Sequence, residues 1–229
     1  MKKLLFVFAF SVGFLTHAQQ VYVTGGWTIA SFDFVNNEGE TLDNLESKTQ
    51  NFFGVGYRTP VLAKGLHLNA GATYNAYGAT GSDPALNNFF DWDVDYLGLG
   101  LALDYVVNSG SELEIFIKGG FSAEWMVQGT QQINNQVFDI RKTEEFDDTA
   151  YFFRGGAGAS YPISDRSRLY IEYSYGQSLA LNDNNNSQVT ELKINAHMIG
   201  AGILIDISKK NTDTETEEDA DTPENSPNK

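Results

Sequence analysis

Asp91-Trp92-Asp93-Val94-Asp95 sets three carboxylates at alternate positions, which is how a calcium-binding loop begins. The loop then fails: its sixth place, normally glycine, is Tyr96, and its twelfth, normally glutamate, is Ala102. Asp91, Asp93 and Asp95 are left as weak cation ligands that would share one face of an extended strand. Their bland reading is a solvated strand end. Beyond His17, the chain has His67 and His197. A two-histidine metal site is conceivable, but hydrogen-bonded interior histidines are commoner. Gly156-x-Gly158 has no helical pattern after it, so it is no dinucleotide fingerprint. The absence of cysteine excludes thiol catalysis, zinc ribbons and disulfide frameworks. A formal charge of −15 argues against nucleic acid as a partner. No catalytic set, cofactor site or firm metal site is expected, and the chain is not read as an enzyme.

These side chains sit in runs of period two. In Leu113–Trp125 the odd positions read Leu, Ile, Ile, Gly, Phe, Ala, Trp, and the even ones Glu, Phe, Lys, Gly, Ser, Glu. That is a strand with one apolar and one mostly polar face. Leu97, Leu99, Leu101, Leu103 and Tyr105 make the apolar row of the preceding run. Eight such runs fill residues 20–207. In the last, Leu192, Ile194, Ala196 and Met198 oppose Glu191, Lys193, Asn195 and His197, and beyond Gly200 the aliphatic residues change parity to Ile203, Ile205 and Ile207. A β-bulge near Gly200 to Gly202 would explain that change. The connections alternate long and short, with long ones at 35–48, 79–90, 129–147 and 182–188. That is the order of an up-and-down barrel with short periplasmic turns and long outside loops.

The ends differ in composition. Met1-Lys2-Lys3, an apolar run from Leu4 to Leu15 and Thr16-His17-Ala18 form a secretory signal peptide over 1–18. Residues 208–229 carry Asp213, Glu215, Glu217, Glu218, Asp219, Asp221 and Glu224 with almost no apolar side chain. They are expected to be a disordered acidic periplasmic tail. The barrel domain is 19–207.

Alternation alone does not say which face is inside. Two features favour a membrane barrel over a soluble lipid carrier. The polar rows are rich in glycine (Gly54, Gly56, Gly98, Gly100, Gly120, Gly156, Gly158, Gly176), which suits a narrow interior and is costly on a water-facing strand. Aromatic residues cluster at both ends of the apolar rows: Tyr57, Tyr105, Tyr161 and Tyr173 toward the short turns, Phe53, Tyr74, Trp125 and Tyr151 toward the long loops. Two interfacial girdles have this pattern. With its signal ending in Ala18-Gln19, eight alternating strands and glycine-rich polar rows, the chain resembles the small outer-membrane β-barrel proteins of Gram-negative bacteria, similar to the OmpA-type transmembrane domain and OmpX-like barrels. Such barrels often end on an aromatic residue. Here the last strand closes on Ile205-Asp206-Ile207 before the tail, which is too short for a folded peptidoglycan-binding domain.

The expected fold is all-β, an eight-stranded antiparallel up-and-down transmembrane barrel. Parity places Arg58, Asp104, Glu114, Lys118, Glu124, Arg154, Glu172, Glu191 and Lys193 in the lumen, with both histidines. Charges of both signs there would pair into a polar plug. A lipid-modifying enzyme would need a Ser/His/acid set on the lipid side near the outer leaflet, where parity places neither histidine. The expected partners are the bilayer and lipopolysaccharide, the latter reached through cations at Asp91, Asp93 and Asp95. Surface proteins are a further expected partner, met through the acidic loops (Glu38, Glu40, Asp43 and Glu46; Asp139, Glu144, Glu145 and Asp147). A structural or surface-interaction role is expected. The alternative is a narrow channel or hydrophobic-ligand transporter.

Overall fold

The computed structural model describes residues 19–35, 44–61, 63–83, 88–141, 149–182 and 191–207. The expected signal peptide and acidic tail lie outside the described residues, as do Glu38, Glu40, Asp43, Glu144, Glu145 and Asp147. Ten strands follow in chain order: β1 (Gln20–Val35), β2 (Leu45–Pro60), β3 (Leu66–Asp83), β4 (Asn88–Val106), β5 (Glu114–Ile133), β6 (Gln136–Asp139), β7 (Ala150–Ser164), β8 (Ser167–Ser178), β9 (Leu181–Asn182) and β10 (Glu191–Asp206). β6 and β9 are short. The other eight pair antiparallel with their neighbours, and β10 pairs with β1 to close the ring.

The register sets the size of the ring. Paired residues run Val21, Tyr57, Ala70, Leu101, Phe121, Phe153, Gln177, Asn195 and back to β1 at Ser31, ten positions above the start. With eight strands and ordinary strand spacings, that stagger gives a tilt of ~40° and a backbone radius of ~8 Å. Side chains fill so narrow an interior. Local chemistry makes the turns. Asn108 accepts a hydrogen bond from the Ile115 N–H and donates to the Leu113 carbonyl, each at 2.7 Å. Asn134 and Asn135, with φ of 45° and 70°, form the two-residue turn between β5 and β6.

The wall has two storeys. In the lower one, toward the short turns, aliphatic and aromatic side chains face outward: Leu99 is 59%, Ile115 48% and Phe153 57% exposed. Water-facing surfaces do not carry such rows, but hydrocarbon accepts them. Inside, glycines receive rings. A Cβ on Gly56 or Gly71 would strike the Tyr22 ring, and one on Gly202 would strike Tyr170. In the upper storey the apolar row crosses to the inside. Phe32, Tyr77, Val94, Tyr96, Phe152, Leu181, Leu192 and Ile194 form a buried cluster there, while Asp33, Asn51, Thr49 and Gln177 face out.

This crossing corrects the reading of the last strand. β10 pairs with β1 without a break from Asp206 to Glu191, so no bulge interrupts Gly200 to Gly202. Leu192, Ile194, Ala196 and Met198 are buried, Ile199, Ile203 and Ile205 exposed, and all keep one strand parity. The apolar row changes sides because solvent replaces lipid outside, not because the strand shifts. Register breaks occur instead at Ser47/Phe52, Asp95/Tyr96 and Pro162/Ser164. The wall also divides. β1–β2 pairing ends at Ala30 with Lys48, and β5–β7 pairing at Glu124 with Ala150. Above these points β2 to β6 and β7 to β1 face each other across the apolar cluster. Much of the expected loops 79–90 and 129–147 is strand in β3, β4, β5 and β6.

Candidate functional site

Among the described residues, the lumen brings opposite charges together in four pairs. Toward the short turns, Arg58 Nε lies 3.2 Å from Asp104 Oδ2, and Arg168 lies 3.2 Å from Glu114. Higher up, Lys118 Nζ is 2.5 Å from Glu172 Oε2, and above it Arg154 is 2.7 Å from Glu124. β2, β4, β5, β7 and β8 contribute these charges from the inward parity, and an unpaired charge there would carry a large desolvation cost. Arg58 also donates to Gln20 Oε1 at 2.8 Å and lies 3.1 Å from His67 Nδ1. His67 is thus a bonded lumen histidine.

The uppermost pair has the most hydrogen-bond partners around it. Glu124 is wholly buried. It accepts from the Tyr77 hydroxyl at 2.8 Å and the Ser122 hydroxyl at 2.9 Å. Arg154 donates to Tyr77 at 2.6 Å and to Ser122. Its guanidinium lies 4.4 Å from the Phe152 ring centre, and Phe152 stacks on Tyr77 at 5.4 Å. The network is therefore the floor on which the upper apolar cluster rests. Below it, a cavity of about 130 Å³ is lined by Tyr22, Asn69, Asn75, Lys118, Arg154 and Glu172 among others. A second, of about 10 Å³, adjoins Arg58 and Asp104.

Among the charges expected in the lumen, Lys193 lies elsewhere. Lys193 shares the outward face of β10 with Asn195 and His197, and the side chain of Glu191 lies outside the described residues. The error came from taking the apolar row of the upper half of β10, Leu192 to Met198, as the lipid-facing one. Arg168 was missed because it adjoins the short turn before β8, although it has the parity of Tyr170 and Glu172.

Outside, just above the apolar belt, two sectors differ. On β2–β4, Lys48 Nζ lies 2.6 Å from Asp91 and 2.8 Å from Asp93, and Gln50 also donates to Asp93. Lys48 crosses β3 at Gly78, where a Cβ would stand 2.9 Å from Lys48 Cδ. Burial works against the charged ammonium, but its bonds to Asp91 and Asp93 prevail and raise its pKa above the ordinary lysine value. Asp95 accepts from the Tyr74 hydroxyl at 2.7 Å. The three aspartates do share the outer face, but lysine and tyrosine hold them. Among the described residues, no group of three or more His, Cys, Asp or Glu side chains is placed to hold a metal ion.

On β8–β10–β1, His197 faces outward, not into the lumen, and its Nδ1 is 2.8 Å from the Tyr173 hydroxyl. The ring lies 5.0 Å from that of Tyr175. Asn195 Oδ1 accepts from Tyr175 at 3.0 Å and from Gln177 at 2.9 Å, and Asn195 Nδ2 donates to Asp33 at 2.6 Å. Tyr173, expected in the lower girdle, joins this upper group. The two histidines sit on opposite sides of the wall and share no site.

The sequence profile described as "Outer membrane protein beta-barrel domain" matches residues 4–204. The chain belongs to this family. No curated protein sequence matches it. Among solved structures it is similar to Neisserial surface protein A (NspA), at 13% identity over 81% of this chain and 96% of that one, with a TM-score of 0.47. It is also similar to OprG from Pseudomonas aeruginosa, at 15% identity over 83% and 97% with a TM-score of 0.47. A third is the outer membrane protease OmpT from Escherichia coli, at 9% over 84% and 98% with 0.45.

As a member of this outer-membrane barrel family, the protein resides in the cell outer membrane of Gram-negative bacteria. The lower storey is its membrane-spanning ring, and the upper storey stands on the extracellular side.

Proposed function

We propose that this barrel is a structural, surface-contact protein of the outer membrane, not a channel and not an enzyme. The observation that carries the reading is the obstructed lumen: three ion pairs lie below a Glu124–Arg154–Tyr77 network, in which Glu124 and Tyr77 are wholly buried, and an apolar cluster stands above it. An open pore needs a continuous aqueous path, and eight strands leave an interior just wide enough for side chains to fill. The non-enzymatic reading rests on the histidines. His67 is engaged by Arg58 in the lumen. His197 does stand on the lipid side, but its ring bonds to a tyrosine hydroxyl, where a hydrolytic base would be oriented by an acid and face a nucleophile. The upper outer wall, polar and strand-built, is the surface offered to partners.

Planar-bilayer recording of the full chain tests this. The expected outcome is no steady conductance. A stable ohmic open state in the unmodified protein would reject the reading in favour of transport.

A further inference from the structure

We propose that removal of residues 1–18 leaves Gln19 at the head of the mature chain, and that this glutamine closes on itself to a pyroglutamyl residue. The inference is independent of the role proposed above. It starts at the seam where the first and last strands meet. Gln20 pairs with Asp206 and donates to its carboxylate through Nε2 at 2.7 Å. Gln20 Oε1 accepts from Arg58 at 2.8 Å. The amide of Gln20 is thus engaged at both ends inside the barrel wall. Gln19 stands one residue before β1, and its carbonyl accepts from the Ile207 N–H at 2.9 Å. Upstream, Thr16 and Ala18 occupy the third and first places before Gln19, where a leader peptidase reads small residues. The favoured cut therefore falls one residue outside the first strand.

The chemistry follows from the residue that this cut exposes. The α-nitrogen of Gln19 attacks its own side-chain Cδ. The N–Cδ bond forms, the Cδ–Nε2 bond breaks, and ammonia leaves with one hydrogen from the α-amine. The product is a five-membered lactam, and the step needs no co-reactant. The attacking amine must be unprotonated. Such amines titrate at about 7.7–8.0, so a reactive fraction exists near neutral pH. Nucleophile and electrophile belong to one residue, which removes the entropic cost of bringing them together.

The fold accommodates the ring and favours it. Its atoms are N, Cα, Cβ, Cγ and Cδ of Gln19 alone, so closure leaves the carbonyl in its bond to Ile207. Gln19 has the outward parity of Val21 and Val23, and the exposed Ile207 lies beside it. That is the periplasmic border of the lipid-facing row. A charged ammonium there gives up part of its hydration, whereas the lactam carries no charge to hydrate.

The test exports the full chain from its own leader in a Gram-negative host. Outer membranes are held overnight at neutral pH and extracted in the cold. Trypsin then releases Gln19–Lys48 as the first peptide of the mature chain, which is read by tandem mass spectrometry. A heavy synthetic copy with a linear glutamine is added at extraction and reports any closure caused by handling. The peptide from the barrel should begin at Gln19 and be one ammonia lighter than the linear form, in a fraction well above that of the heavy copy. It should resist an aminopeptidase until a pyroglutamyl peptidase removes the ring. The corresponding peptide of Gln19→Ser should be linear and digested at once. A first residue other than Gln19 overturns the proposal. So does a ring fraction no greater than that of the heavy copy, or aminopeptidase digestion as fast as in Gln19→Ser.

Discussion

The two storeys of one wall obey opposite patterns. In the membrane ring, Leu99, Ile115 and Phe153 face out while Arg58, Lys118 and Glu172 fill the axis. In the extracellular storey, Tyr77, Phe152 and Ile194 fill the axis while Asp93, Gln177 and Asn195 face out. Strand, pleat and parity continue from one to the other. The surroundings change: hydrocarbon presses on the lower wall and water on the upper. An apolar row thus marks the side away from water, whichever side that is. Where the row crosses, the molecule sets the ion pair of Arg154 with the wholly buried Glu124.

The adjacent residues Phe152 and Phe153 break the comparison most sharply. Phe152 is wholly buried in the upper cluster and stacks on Tyr77. Phe152→Ala should cost about 3–5 kcal/mol, a transfer loss plus a cavity that the surrounding strands cannot close. Phe153 faces the membrane, where lipid flows into any space a lost ring leaves. Phe153→Ala should cost well under the Phe152 value. Reversible urea unfolding in lipid vesicles reads both. Equal losses would show that the upper cluster is no packed core.

How far the sequence showed this differs by residue. The ring was legible because Leu97 to Tyr105 and, but for Phe116 and Gly119, Leu113 to Trp125 alternate, and because the glycines of the polar rows need something to fit. That something is visible only in three dimensions, as the rings of Tyr22 and Tyr170. The lumen pairs were legible as residues but not as partners. Glu114 was placed in the lumen, but its partner Arg168 was not among the charges read there, because it adjoins the strand boundary. Lys193 and His197 were misplaced for a physical reason. The upper half of β10 was read on the assumption that apolar always means outward, which holds only as far as the lipid extends. The aspartates of β4 were placed on the correct face, but the reach of Lys48 over Gly78 depends on a contact between strands far apart in the chain.

The crossing point can be sharpened with a single probe side chain moved along β10. Arginine at Ile203, outward and within the apolar belt, should cost about 2–4 kcal/mol, the figure for a cation at mid-membrane depth. Arginine at Asn195, outward but above the belt, should cost about 0–1 kcal/mol. The drop locates the membrane boundary between the two positions. It is read from unfolding midpoints at fixed denaturant slope. A flat profile would place both positions in the same medium and remove the boundary from β10.

The smallest expected effect tests how the lower axis is filled. Gly71 and Gly56 lie on neighbouring strands as a direct pair, and the Tyr22 ring occupies the hollow above both. Adding a methyl group at Gly71 drives it into the tyrosine and into the backbone of Val55. The ring adjoins the cavity beside Lys118 and Glu172, into which it would have to swing. Gly71→Ala should therefore cost about 1–3 kcal/mol, the usual range for overpacking. Combined with Tyr22→Leu it should cost less than the two single changes added together, because the smaller side chain vacates the contested space. The same pairing offers no relief at Gly119, where a Cβ would meet nothing within 4 Å because that glycine faces the membrane. Strict additivity of Gly71→Ala and Tyr22→Leu would mean that the glycine serves the bending of the strand, not the seating of the ring.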